Sequence, residues 1–250
     1  QTATFTDTIT YKTGRHIYTV RGKVASAIGN GGTYIVTTVP SSGWTTVKGV
    51  STGNTISLSS NGSFAMNTMT VKAGAMVIGP GTSPASQTVT PGGASLLMAS
   101  LVFDATQSGE DVRFSSIPTR LTYVTSDETE LTSCQIFDGA TALSTGSNVV
   151  NPSESGSSPV DQTFTLDNPI TVVKGTVKTL GVRCNVSGSA TNAGTFAWAP
   201  GSTAFITDFT ITGATSGTSI TPTSSSGTAP TFTIGSGTLG DPPRYRQESK

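Results

Sequence analysis

Residues 176–187 read TVKTLGVRCNVS, a short run in which β-branched and other apolar residues alternate with polar ones. Alternation with a period of two over this length marks a half-buried β-strand. The same character recurs on either side, at 95–105, 112–124, 133–138, 162–167, 170–174, 195–200, 204–213, 218–223 and 230–236. It recurs again toward the N-terminus, at 4–11, 16–24, 33–39, 44–50, 55–58 and 64–71, with the clusters GNGG, PSSG, STGN and SSNG among them. Turn clusters at roughly ten-residue intervals are what an antiparallel sandwich shows. No segment combines a 3.6-residue period with caps, so no helix longer than a turn is expected. The fold class is therefore all-β, with two tandem antiparallel Ig-like β-sandwich domains.

Residues 78–94, IGPGTSPASQTVTPGGA, are rich in Gly, Pro, Ser and Thr. They divide the chain into an N-terminal sandwich domain over 1–78, a linker or edge strand over 79–94 and a C-terminal Ig-like sandwich over 95–237. Residues 238–250 turn abruptly charged and Pro-containing and read as an extended tail. Pro118, inside the run 112–124, predicts an edge strand or a bulge there. The Gly/Ser/Asn-rich stretch 139–160 reads as the longest surface excursion.

Composition fits thin sandwiches. Charged residues make 11%, hydrophobic residues 34% and aromatics 7%, while Ser and Thr supply about a third of the chain. Disordered chains are poor in β-branched residues, and this one is not. A core about 10 Å thick can be filled by Val, Ile, Leu and Thr methyls with a few Phe and Trp. Formal net charge is zero, yet its distribution is uneven. Lys12, Arg15, Arg21, Lys23, Lys48 and Lys72 face only Asp7 in the first hundred residues, a net +5, and residues 101–200 carry a net −5. Such polarity would orient subunits head to tail, or would reflect two domains with different surfaces. No apolar run is long enough to span a bilayer, and no basic patch interleaved with aromatics points to nucleic acid. The chain begins with Gln, which suits a processed leader.

Cys134 and Cys184 lie in segments of similar strand character, LTSCQIF and LGVRCNV. Outside the cytosol one disulfide is the favoured reading, and two buried free thiols are the alternative.

The segments EDVRFSSIPTRLTYV (110–124), CQIFDGATALSTGSNVVNPS (134–153), TFTLDNPITVVKGTVKTLGVRCNVSGSA (163–190) and TFAWAP (195–200) resemble an Ig-like surface domain family. That family belongs to large secreted, surface or S-layer-like proteins of candidate-phyla (Patescibacteria-type) bacteria. The resemblance covers about residues 95–236 and implies a β-sandwich used extracellularly, with no activity to carry over.

Residues able to do chemistry are sparse. His16 is the sole histidine, so a serine-hydrolase triad or a His-bearing metal site would have to include it. No GxSxG, HExxH or P-loop occurs, and no catalytic residue is assigned. Asp127, Glu128 and Glu130 in SDETE, with Asp138 or Glu110 and Asp111, could form an oxygen cage for Ca²⁺, against a plain solvated hairpin tip. No other cofactor is expected. Tyr11, Tyr18, Tyr34, Trp44 and Trp198 could stack on sugars, although the alternating settings of Tyr18 and Tyr34 favour core filling.

These features fit a secreted, non-enzymatic structural subunit of a surface assembly: a filament, a pilus-like fibre or an S-layer-like lattice. Its first partner would be itself, by strand donation from residues 1–11 or 238–250; the first arm is preferred because TATFTDTITY alternates. The alternative is an adhesin or carbohydrate-binding module that takes surface glycans.

Overall fold

A computed structural model of the chain describes residues 2–25, 30–153, 157–200 and 206–236. The chain divides into two compact units, Gln1–Lys72 and Ala73–Lys250. The expected tail at 238–250 lies outside the described residues.

The first unit is a ribbon without a core. Strands β1 (Thr33–Tyr34) and β4 (Met69–Thr70) pair antiparallel, and β2 (Thr37–Thr38) pairs with β3 (Phe64–Ala65). The bonds Val71 N–H to Gly32 O and Met66 N–H to Val36 O continue the same two arms. A single helical turn, α1 (Pro40–Gly43), follows, and a small hairpin is closed by Ile56 N–H to Val47 O. Gly53, at the tip of that hairpin, has φ of 70°, a backbone setting that costs glycine little. Pro40 is the one buried residue among those described here. The N-terminal sandwich expected over 1–78 is thus replaced by four strands of two residues each, and 4–11 and 16–24 join no sheet among the described residues. Alternation supplied an apolar face, and no described residue of this unit except Pro40 is buried.

The second unit is a β-sandwich. Its strands are β5 (Val77–Pro80), β6 (Gln87–Val89), β7 (Leu96–Asp104), β8 (Val112–Val124), β9 (Leu131–Asp138), β10 (Thr141–Ala142), β11 (Val160–Val172), β12 (Val177–Val186), β13 (Thr195–Pro200), β14 (Ile211–Gly213), β15 (Ser219–Ile220), β16 (Thr223–Ser224) and β17 (Phe232–Ile234). One sheet runs β10-β9-β12-β7-β5-β16. The other runs β15-β14-β8-β13-β17-β6, with β11 also paired to β8. Two pairings are parallel, β16 with β5 and β17 with β6. The unit therefore begins by giving one strand to each sheet and ends by laying one strand beside each of them.

That arrangement decides the role of residues 79–94. They belong to the second unit, finish β5, cross between the sheets and form β6 at a sheet edge. Within them, 87–89 are an edge strand.

Pro118 also finds its reason here. Strand β8 lies inside its sheet rather than at an edge, and its register with β11 is unbroken through Pro118 opposite Thr163. On its other side, however, β13 ends opposite Thr119 and β14 resumes opposite Phe114. A residue without an N–H can donate to neither ladder, and among the described residues β8 has a partner at Pro118 on one side only. The register shift falls in the partner instead, between Thr165 and Ile170 of β11, so the two expected strands 162–167 and 170–174 are one strand with a bulge.

The core lies between the sheets. Trp198, Phe103, Phe164, Phe196 and Phe232 are its largest fully buried side chains. Phe103 of β7 stacks on Phe114 of β8, with centroids 4.7 Å apart, which joins one sheet to the other. Phe164 meets Trp198 at 5.5 Å. The alternation that opened the sequence reading is realised in β12, where Leu180, Val182, Cys184 and Val186 are buried and the residues between them are not.

Candidate functional site

The exposed apolar surface is concentrated in the first unit. Large hydrophobics there include Phe5 at 71% exposure, Ile17 at 85% and Met69 at 69%, while among the described residues of the second unit only Val124, Val173 and Val177 are comparably open. Soluble chains seldom leave apolar residues grouped in this way unless something covers them. Residues 4–11 alternate Thr4, Thr6, Thr8 and Thr10 with Phe5, Asp7, Ile9 and Tyr11, and all are exposed.

Three aromatics of this unit gather. Tyr11 lies edge-on to Tyr18 at 4.7 Å and stacked over Trp44 at 5.9 Å. The Trp44 indole N–H donates to Thr38 Oγ1 at 2.8 Å, which fixes the ring against β2. Of the five residues considered for stacking on sugars, these three come together on the surface. Tyr34 is exposed and takes no part in the cluster, and Trp198 is buried in the sandwich core. Core filling therefore holds for Trp198 and fails for Tyr18 and Tyr34.

The acidic residues do something the sequence did not disclose: they staple loops. Glu110 accepts from Thr215 N–H at 3.0 Å, Ser216 N–H at 2.8 Å and the Ser216 hydroxyl at 2.6 Å, closing the β14–β15 turn. Burial pushes its carboxyl up, but these three donors outweigh that and hold it below the ordinary 4.5. A Cβ on Gly213 would run into the Glu110 carboxylate, so that glycine is fixed by the staple. Asp167 accepts from Thr145 N–H, the Asn148 amide and the Thr145 hydroxyl, at 2.9, 2.9 and 2.7 Å. Those donors, the Thr145 N–H foremost, hold it below 3.8. Asp111 accepts from Lys174 N–H at 2.9 Å. Asp138 pairs with Lys178 at 2.6 Å, and Asp161 with Arg120 at 2.9 Å.

The proposed calcium ligands divide among such tasks. Asp127 caps a short 3₁₀ turn by accepting from Thr129 N–H at 2.8 Å, and Glu130 accepts from Thr191 N–H at 3.0 Å. Glu128 is buried. Among the described residues no group of three or more His, Cys, Asp or Glu side chains is placed to hold a metal ion. A calcium cage takes six to eight oxygens, whereas Asp127 and Glu130 turn to donors of different loops.

Cys134 and Cys184 are bonded, with Cα atoms 4.1 Å apart and fifty residues between them. The bond links adjacent strands β9 and β12 of one sheet. It sits where both of β12's ladders slip, toward β7 between Val182 and Arg183 and toward β9 between Arg183 and Asn185. His16 is exposed, with Nε2 3.3 Å from Thr13 O. Two shallow depressions of about 220 Å³ mark the second unit, one beside Pro84 and Pro230 and one beside Arg113 and Pro169; neither gathers an acid, a base and a nucleophile. No helix among the described residues is long and apolar enough to cross a membrane.

No protein-family model matches the sequence, and no curated protein matches it. A solved structure, the seventh ScaB type I cohesin from Pseudobacteroides cellulosolvens, is similar over 71% of this chain and 100% of its own, at 12% identity and a TM-score of 0.30. A likeness of that size carries neither partner nor activity to this chain.

Proposed function

We propose that the chain is a non-enzymatic structural subunit of an extracellular surface assembly, a filament, pilus-like fibre or S-layer-like lattice, that associates head to tail by donating its N-terminal arm. One observation carries the reading: a ribbon and arm crowded with exposed apolar residues, with Pro40 alone buried among those described, sit in the same chain as a sandwich with its own core. Burying one large apolar side chain contributes about 1.5–3 kcal/mol. Even half-exposed side chains such as Ile9 and Tyr11 therefore gain substantially from a partner surface. The disulfide suits an oxidising location, and the net +5 of residues 1–72 against the net −5 of the remainder suits like subunits meeting in one sense. A sole imidazole resting against a backbone carbonyl supports the non-enzymatic reading.

The gathering of Tyr11, Tyr18 and Trp44 favours a second reading, an adhesin in which aromatic faces stack on a glycan. Deleting residues 1–11 and following the chain by sedimentation velocity and electron microscopy separates the two. Assemblies of the full chain that vanish on deletion support donation. Assemblies that persist unchanged refute the arm, and a full chain that stays monomeric while binding arrayed glycans supports the adhesin.

A further inference from the structure

We propose that the acceptor of the arm is the outer edge of β11, residues 160–165, in a second copy of the chain. This rests on the donation reading above and names its partner surface. Most strands that end the sandwich sheets are short: β10, β15 and β16 have two residues each and β6 has three, whereas β11 has thirteen. Strand β11 pairs with β8 along one side. Along the other, Asp167 N–H bonds to Leu143 O beside the bulge, and the stretch 160–165 has no backbone partner among the described residues. A long, regular, one-sided strand is a template for another, and six residues offer about 20 Å of it.

The alternation matches. Within 160–165, Val160 and Phe164 are buried toward the core while Asp161, Thr163 and Thr165 are exposed on the outer face. An arm laid alongside continues both faces, with Thr4, Thr6, Thr8 and Thr10 beside Asp161 and Thr163, and Phe5 and Ile9 turned toward the open flank of the core. Leu143, whose carbonyl accepts from Asp167 N–H, is only half buried against that core. Asp7 falls on the apolar face of the arm, so the arm sits at the rim, where that carboxylate keeps water, rather than in a closed groove. Opposite net charges on the two units attract an arm that carries Lys12 and Arg15 just beyond it.

Full-length chains carrying one added cysteine each, mixed and gently oxidised, test this. Thr163→Cys in one population should crosslink to one of Thr4→Cys, Thr6→Cys, Thr8→Cys or Thr10→Cys in the other, about tenfold more than to Phe5→Cys or Ile9→Cys, because directly opposed residues share a face at about 5 Å. Thr223→Cys on β16 serves as the rival edge. Assembly with links to Thr223→Cys, or with no preference between odd and even arm positions, overturns the β11 assignment and leaves donation standing. Chains that sediment as monomers overturn both.

Discussion

Replacing Cys134 and Cys184 together by alanine removes a crosslink that closes a fifty-residue span. Chain-entropy arithmetic assigns such a loop about 4 kcal/mol at 25 °C. Both sulfurs are fully buried, so the truncation adds a small packing loss of about 1 kcal/mol at each site. With an unfolding entropy of about 2.1 cal/mol/K per residue and roughly 160 ordered residues in the sandwich, 4 kcal/mol is a fall in Tm of about 12 °C. Scanning calorimetry of the full chain measures it, and a reduced wild-type sample separates crosslink from packing because its sulfurs remain. We expect the reduced chain to lose most of the 12 °C and the double variant about 6 °C more, from about 2 kcal/mol of packing. The location makes the expectation sharper: the bond spans β9 and β12 at the point where the hydrogen-bond ladders on both sides of β12 slip, so few backbone bonds there can take over its role. A reduced chain melting within about 3 °C of the oxidised one would refute the reasoning, by showing that β9 and β12 stay associated in the unfolded ensemble.

Two further outcomes follow from the core and the staples. Trp198→Ala should cost about 3–5 kcal/mol in denaturant titration; its indole N–H has no hydrogen-bond partner among the described residues, so Trp198→Phe should lose only volume, about 1–2 kcal/mol. Acid should destabilise the sandwich in a defined sense: Glu110 and Asp167 are held below their ordinary values by N–H and O–H donors, so their contribution is present above the unfolded pKa and is lost as pH falls through the folded ones. Melting curves from pH 6 down to about 2.5 should show Tm falling below about pH 4.5, with a shallower fall in Glu110→Gln; an identical slope in that variant would remove Glu110 from the account.

The sandwich was legible because its strands carry their own evidence. In 176–187 every second residue from Leu180 is apolar and every one of these is buried, and the two cysteines fall at matching places in neighbouring strands. The chain order of the sheets was not legible, since β5 and β6 pair with β16 and β17, some 140 residues away. A Gly/Pro-rich stretch reads as a linker when the partners that make it a strand lie at the far end of the sequence. Pro118 misled for a related reason: the proline rule is local, while the strand that carries Pro118 is central, with partners on both sides that lie far along the chain.

The N-terminal unit shows what alternation does and does not say. Residues 4–11 and 33–39 read as strands by the same rule, yet Leu58 is the only leucine before residue 73, while the core of the second unit adds leucine, phenylalanine and Trp198 to its isoleucine and valine. A period of two states that one face is apolar; the supply of large side chains determines whether the segment can bury that face against itself. Read together, the two signals describe strands whose apolar face stays exposed. The carboxylates teach the converse. Asp127, Glu128 and Glu130 read as a metal cluster because they are close in sequence, but in a chain so rich in Ser and Thr Asp127 and Glu130 each accept from a threonine hydroxyl and N–H. Glu110 finds Ser216, Glu130 finds Thr191 and Asp167 finds Thr145. Scarce charge in a hydroxyl-rich chain is therefore spent on fastening turns, which leaves the sheet edge and the uncovered ribbon as the surfaces where a partner can act.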